Sequence, residues 1–261
     1  MKRKILSNMP VMPGRIVNPK QVVILLACMI SLLICYNAGR GFIFNSGYFI
    51  VEDVEVVLVG GARLPNSTVR SLLNLEKGNN MFAVNLAEMK KYILREYPEI
   101  KSVAVARMLP NKLSFKVRPR IPVAQISLGF NYCLVDAEGV ILPHMRHLML
   151  DSMPVIKGLD SQEVVRNLGE EYDSGRLREA ISLIKAVERS LFYQEHQLHM
   201  VDVADEKNIS LIIEGGLEVK VGSDEFESKL DLLDKVFREG IDKRHVKYID
   251  LRFGDVVIGT K

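Results

Sequence analysis

From Gln21 to Gly39 the sequence has no charged residue, and its centre reads Val22-Val-Ile-Leu-Leu-Ala-Cys-Met-Ile-Ser-Leu-Leu-Ile-Cys-Tyr36. A helix that crosses a bilayer needs about 20 mostly apolar residues, because the hydrocarbon offers its backbone no water to bond. Lys2, Arg3, Lys4, Arg15 and Lys20 precede this stretch without a single acid, and Arg40 follows it. Such an excess holds the leading end in the cytoplasm and sends the rest across. The sequence therefore predicts a cytoplasmic tail over 1–20, a spanning helix over 21–39 and a body on the far side. Three alternatives compete. A cleaved signal peptide would need small residues before its cut, and Tyr36-Asn37-Ala38 fits that poorly. A lipoprotein signal ending at Leu25-Leu-Ala-Cys28 would leave another apolar stretch behind it. A buried core helix would ordinarily keep a polar face.

Charge narrows what the body can do. The chain carries +3 in all, and its first 20 residues alone hold five bases, so the remainder is near −2. Nucleic-acid binding calls for a clustered basic face, which this balance argues against. Of three cysteines, Cys28 and Cys35 lie in the apolar stretch and Cys133 stands alone beyond it, which gives the body no internal disulfide. Ordinary hydrophobic cores must hold it together.

Past the helix, Gly39 to Gly47 is rich in glycine and rings (Phe42, Phe44), and is expected as part of a juxtamembrane linker over 40–50. Val54, Val56 and Leu58 then alternate as a strand ending at Gly60-Gly61. Pro65-Asn-Ser67 opens a short helix, and Asn85 with Glu88 marks the start of a second, which stops before Pro98. Strands follow at Val103–Val105 and Leu113–Arg118, around the turn Leu109-Pro-Asn-Lys112. This order, β-α-α-β-β over 51–119, predicts a small sheet with two helices on one side. A second region over 120–261 opens with a hairpin, Tyr132–Val135 and Gly139–Leu142, followed by Pro154-Val-Ile as a short edge strand. Helices are expected from Arg176 to Leu191 and from Phe226 to Phe237, the latter capped by Ser223. Strands are expected at 198–203, 209–213, 217–221, 246–252 and 256–259. The fold class is α+β, with a mixed or antiparallel sheet carrying packed helices.

No catalytic constellation emerges. His144-x-x-His147 and His196-x-x-His199 have a spacing that could ligate a metal on a helix, but neither sits in H-E-x-x-H. Glu170, Glu171 and Asp173 read as a solvated helix start rather than an acid–base pair. No cofactor or metal site is expected. The sequence stops soon after Val256-Val-Ile-Gly259, so the last strand is expected at an uncovered sheet edge, open to another chain's strand.

Several segments together resemble the FtsQ/DivIB family of bacterial cell-division proteins. Tyr48-Phe-Ile-Val51 with Val54-Glu-Val-Val-Leu-Val-Gly60 is similar to the start of that family's POTRA domain. Gly78-Asn-Asn-Met-Phe82, Tyr97-Pro-Glu-Ile-Lys-Ser-Val-Ala-Val105 and Arg107-Met-Leu-Pro-Asn-Lys-Leu113 are similar to its middle. Arg118-Pro-Arg-Ile-Pro-Val-Ala124 resembles the junction with the second, β domain. Leu134-Val-Asp-Ala-Glu-Gly139, Pro154-Val-Ile-x-Gly158 and Ile249-Asp-Leu-Arg-Phe253 resemble segments within it.

The resemblance implies a non-enzymatic bitopic scaffold of the inner (plasma) membrane at the division septum, with its body periplasmic or extracytoplasmic. It implies that the POTRA domain contributes to recruitment, through a surface mapping here to Ser102, Val105 and Arg107. It also implies that the β domain binds FtsB/FtsL-like bitopic proteins by strand addition along Phe253, Gly254, Asp255, Val256, Val257, Ile258 and Gly259. In this sequence the turn before the last strand is shorter than is usual in the family, and no aromatic residue follows Gly259. Two other functions stay open from the residues themselves. One is an anchored hydrolase using the histidines or the acidic cluster, and the other is a POTRA-containing protein-export component.

Overall fold

The computed structural model describes residues 19–61, 63–191, 196–240, 245–253 and 255–260; the expected tail lies almost wholly outside them. Helix α1 (Pro19–Asn45) has 27 residues, none buried, and is long and apolar enough to cross a membrane. The buried core helix is thereby set aside. The expected linker over 40–50 is corrected: α1 continues through Gly41 to Asn45, and a single 3-10 turn (Gly47–Phe49) follows. Two glycines cost a helix roughly 1 kcal/mol each, but this helix end is tied down from outside. Asn80 Nδ2 donates to the carbonyls of Ile43 (2.9 Å) and Phe44 (3.0 Å), which lack partners within the helix.

The first globular unit has the expected order: β1 (Asp53–Leu58), α2 (Asn66–Leu73), α3 (Leu86–Glu96), β2 (Ile100–Met108) and β3 (Lys112–Pro119). Its sheet runs β1-β3-β2, with β1 parallel and β2 antiparallel to β3. The Asn85 carboxamide oxygen accepts from the amides of Ala87 and Glu88, which is how the Asn-x-x-Glu spacing starts α3. Leu72, Met81, Ile93, Leu113, Phe115 and Val117 fill the core.

The second unit is built on one nine-stranded sheet. Its strands are β4 (Pro122–Leu128), β5 (Asn131–Asp136), β6 (Ile141–Arg146), β7 (Val155–Lys157), β8 (Leu198–Asp202), β9 (Ser210–Ile213), β10 (Glu218–Lys220), β11 (Val246–Phe253) and β12 (Asp255–Thr260). Their order is β12-β11-β10-β9-β8-β7-β4-β5-β6. Helices α4 (Ser161–Arg166), α5 (Gly175–Arg189) and α6 (Phe226–Arg238) complete the unit. Leu177, Leu183, Ile184 and Val187 of α5 and Leu230 and Leu233 of α6 close the core against the sheet.

Two expectations are corrected here. β7 is no edge: it lies in mid-sheet, parallel to both β4 and β8, with Val155 and Ile156 buried. A strand flanked on both sides carries a continuous apolar run rather than an alternation, so three residues gave no signal of position. Gly158 ends β7 with φ +90°, and a Cβ there would stand 2.1 Å from the Ala204 amide nitrogen, which gives Pro154-Val-Ile-x-Gly158 its glycine. Helix α6 is preceded by Glu225 at φ +49° with no side-chain cap, so Ser223 does not cap it.

Arg120 joins the two units. Its amide and Nε donate to the carbonyls of Glu99 (2.8 Å) and Pro98 (3.1 Å) in the first unit. Its Nη1 reaches buried Asp136 (2.6 Å) and Glu138 (3.1 Å) in the second. Asp136 Oδ1 also accepts from the amides of Glu138 and Val140, so one carboxylate shapes the β5–β6 turn and grips the junction.

Candidate partner-binding edges

β12 pairs with β11 alone and forms one edge of the nine-stranded sheet. In an edge strand every second N–H and C=O points away from the sheet, ready for another strand. Natural edges are blunted by Lys, by Pro or by inward-pointing charge. From Val256 to Thr260 β12 has none of these. Val257 and Ile258 are 49% and 40% exposed, and they lie on opposite faces of the strand. Val256 packs against the core. An added strand would thus meet apolar side chains on both faces as well as an open ladder.

The strand before it is stiffened. Asp250, 7% exposed, accepts from Arg252 Nε at 2.9 Å and Nη2 at 2.5 Å, and Arg252 Nη1 also reaches Asn208. These bonds hold the Asp250 carboxyl below the usual carboxylate range. The guanidinium carbon sits 5.1 Å from the centre of the Phe253 ring, which stays 65% exposed where β11 turns toward β12. The segment Asp250-Leu-Arg-Phe253 is therefore a clamp that presents a ring at the edge.

One participant escaped the reading of the sequence. Tyr248 pairs with Gly259 across β11 and β12, and a Cβ on Gly259 would fall 2.3 Å from its Cε1. The ring lies over the β12 backbone, with the Lys220 ammonium 4.6 Å from its centroid. The signal was present: glycine within a strand marks a close approach.

The residues expected to act are placed as follows. Phe253 ends β11, and Asp255, Val256, Val257, Ile258 and Gly259 lie on β12; Gly254 lies outside the described residues. Ser102, Val105 and Arg107 all lie on β2, an edge of the three-stranded sheet. They do not form one surface. By strand alternation Ser102 faces the side opposite to Val105 and Arg107. Val105 packs against the first core, and the Arg107 guanidinium bonds the carbonyls of Met81 (2.8 Å) and Val84 (2.7 Å).

The histidine pairs are separated by local geometry. His144 lies on β6 with His147 just past its end, and His199 lies on β8 with His196 just before it. Spacing i, i+3 brings two rings together on a helix and sends them to opposite faces on a strand. His196 instead packs against Phe237, with the ring centres 4.8 Å apart and the planes tilted by 46°. Among the described residues no three His, Cys, Asp or Glu side chains are gathered as metal ligands. Of the acidic cluster, Asp173 pairs with Arg178, while the Glu170 and Glu171 backbone runs beside the start of β6.

Known proteins are similar to this chain in sequence. Residues 124–252 match the family model for the C-terminal region of cell division protein FtsQ/DivIB, and residues 53–120 match that of the FtsQ-type POTRA domain. The chain is 30% identical over 210 residues to cell division protein FtsQ of Syntrophotalea carbinolica, covering 80% of this chain and 72% of that one. With FtsQ of Geotalea daltonii it shares 30% over 241 residues, covering 90% and 84%. With cell division protein DivIB of Clostridium acetobutylicum it shares 30% over 217 residues, covering 80% of each.

Proposed function

The chain belongs to the FtsQ/DivIB family of cell division proteins, and from that premise we propose that it is a non-enzymatic, membrane-anchored scaffold of the division machinery. In this reading α1 crosses the inner membrane once, the N-terminus stays cytoplasmic and both globular units work outside at the septum. Its partners are bitopic proteins of the FtsB/FtsL kind, and one of them adds a strand to β12. The observation that carries this is the unguarded edge, since an apolar strand with an open ladder is a hazard unless a partner covers it. The Asp250–Arg252 pair and the Tyr248–Gly259 contact support it, because they fix the edge before the partner arrives and so reduce the ordering that binding must supply. The first unit contributes to recruitment through β2. Of its three expected residues Ser102 and Arg107 are exposed, and Arg107 also holds the 81–84 loop.

The test uses the full chain in nanodiscs and the extracytoplasmic segment of an FtsB-like partner. Crosslinkers placed singly at 255–260 should capture partner residues that step one for one along the partner, because paired strands hold a fixed register. Capture with no such register would retire strand addition while leaving the scaffold role. No capture at any position would retire β12 as the docking site.

A further inference from the structure

We infer that the β2–β3 turn of the first unit, with Leu109 at its tip and Met108 beside it, is a second membrane contact. It dips into the interfacial layer of the bilayer that α1 enters. This rests on the reading of α1 as a membrane span.

The length of α1 sets the height. At about 1.5 Å per residue, the uncharged run from Gln21 to Gly39 spans about 28 Å, close to the roughly 30 Å hydrocarbon core. The last turn and more, Gly41–Asn45, adds about 7 Å, close to the depth of one headgroup layer. The helix therefore delivers the chain to the outer limit of the headgroups, with Phe42 and Phe44 inside that layer, where aromatic rings are favoured.

The exit has no hinge. Besides the two bonds from Asn80, the Ser46 amide donates to the Phe42 carbonyl at 3.1 Å. A file of rings then leads into the globular unit: Phe42 to Phe49 at 6.1 Å, Phe49 to Phe82 at 5.1 Å, and Arg107 over Phe82 at 5.8 Å. Met108 and Leu109 come directly after Arg107. The turn is also tied to the chain emerging from α1: the Glu52 amide donates to the Asn111 carbonyl (3.0 Å), Asn111 donates to the Glu52 carboxylate (2.6 Å), and Lys112 pairs with Asp53 (2.8 Å). The turn thus shares the membrane-proximal end of the unit with the exit of the anchor.

That end exposes apolar side chains among its charges. Leu109 is 69% exposed, Tyr48 65%, Met108 45% and Ile50 37%. A lone exposed leucine is ordinary, but four apolar side chains grouped beside a helix that enters lipid form a patch continuous with it. The charges around them cancel, Glu52, Asp53 and Glu76 standing against Lys77, Arg107 and Lys112. The occupant that fits is the headgroup–acyl boundary, entered by apolar burial, with no dependence on anionic lipid.

The experiment uses the full chain with Cys28→Ala and Cys35→Ala, in phosphatidylcholine nanodiscs containing lipids spin-labelled near the headgroup and, for the label within the span, at mid-chain. Cys133 is retained: it is fully buried, and burial pushes its thiol up to about 12, so it stays unlabelled. A nitrobenzoxadiazole label is placed singly at Leu109→Cys, at Ile30→Cys within the span, and at Phe130→Cys on the β4–β5 turn, where the native ring is 95% exposed. The spin label should quench positions 30 and 109 by about twofold or more, leave 130 bright, and act equally in discs containing anionic lipid. Quenching at 30 with 109 as bright as 130 would overturn this inference and leave the anchor standing. A 109 label that is blue-shifted yet unquenched would overturn it in favour of a protein cover. Quenching at 109 only with anionic lipid would overturn apolar insertion. No quenching at 30 would overturn the anchor reading itself.

Discussion

The nine-stranded sheet ends in two edges that are protected to different degrees. Along β6, the amide of Ile141 donates to Glu170 (3.0 Å), and the Ile141 and Gly139 carbonyls accept from Gly169 (2.8 Å) and Tyr172 (3.0 Å). Pro143 then removes a donor from mid-strand, and His144 and Arg146 flank the exposed Met145. Along β12 there is no covering segment among the described residues, no proline and no charge past Asp255. Both strands grow from the same core, so burial does not account for the difference. It teaches that guarding an edge is a local choice of residues, and that an edge left unguarded is available for use.

The most severe way to break the comparison is to put proline on β12. Consecutive N–H groups point to opposite sides, so of Val257→Pro and Ile258→Pro one removes an outward donor and the other a bond to β11. The outward one should weaken partner binding by about 1.5 kcal/mol, roughly tenfold, with little change in thermal unfolding. The inward one should lower both. Calorimetric titration beside a melting curve separates them, and binding by both variants as tight as that of the unaltered chain would dismiss the strand. A milder change gives β12 the guard it lacks. Val257→Lys should cost binding about 1 kcal/mol by setting a charge against an apolar partner, while stability stays within about 0.5 kcal/mol because the site is half exposed. Undiminished titration would mean that the partner does not cover Val257.

Acid sharpens the contrast further. Asp250 is held low by its hydrogen bonds from Arg252, and Glu138, beside the β5–β6 turn, is held low by Lys101 and then Arg120. A depressed carboxyl contributes stability above its ordinary value, and that contribution is lost as pH falls through the lowered folded value. Asp250 is buried and Glu138 half exposed, so amide protection, taken relative to the intrinsic exchange rate at each pH, should fall first along β11–β12 as pH drops from 5 toward 3. A uniform fall across the sheet would contradict the clamp. The smallest effect is expected from Pro143→Val, which restores a donor to β6. Self-association measured by sedimentation should rise only slightly, because the first half of that strand stays covered.

Much of this was readable from the sequence wherever a signal was local. The Asn85–Glu88 spacing started α3, the Asp136–Gly139 turn joined β5 to β6, and the alternation of Leu113, Phe115 and Val117 marked the inner face of β3. The exposed last strand was legible too. What the sequence hid depends on residues far apart. α1 outruns Gly39 because its end is capped by Asn80, nearly forty residues on. β7 lies at the centre because β4 and β8, from distant stretches, close on both its sides. That Arg107, still exposed, also holds the 81–84 loop through its guanidinium depends on a distant stretch of chain. Tyr248 became visible only when β12 brought Gly259 beneath it.

The bond from Asn80 to the end of α1 bears on how partners meet. Two proteins rooted in the same membrane find each other by lateral diffusion, and their sites must also agree in altitude. A slack tether would spread the β12 site over a thick slab above the lipid and dilute it. A stiff stalk confines it to a thin layer, which raises its effective concentration for any partner whose own segment rises to that height. Lengthening the stem by one helical turn would then lower assembly in the membrane without altering affinity in solution.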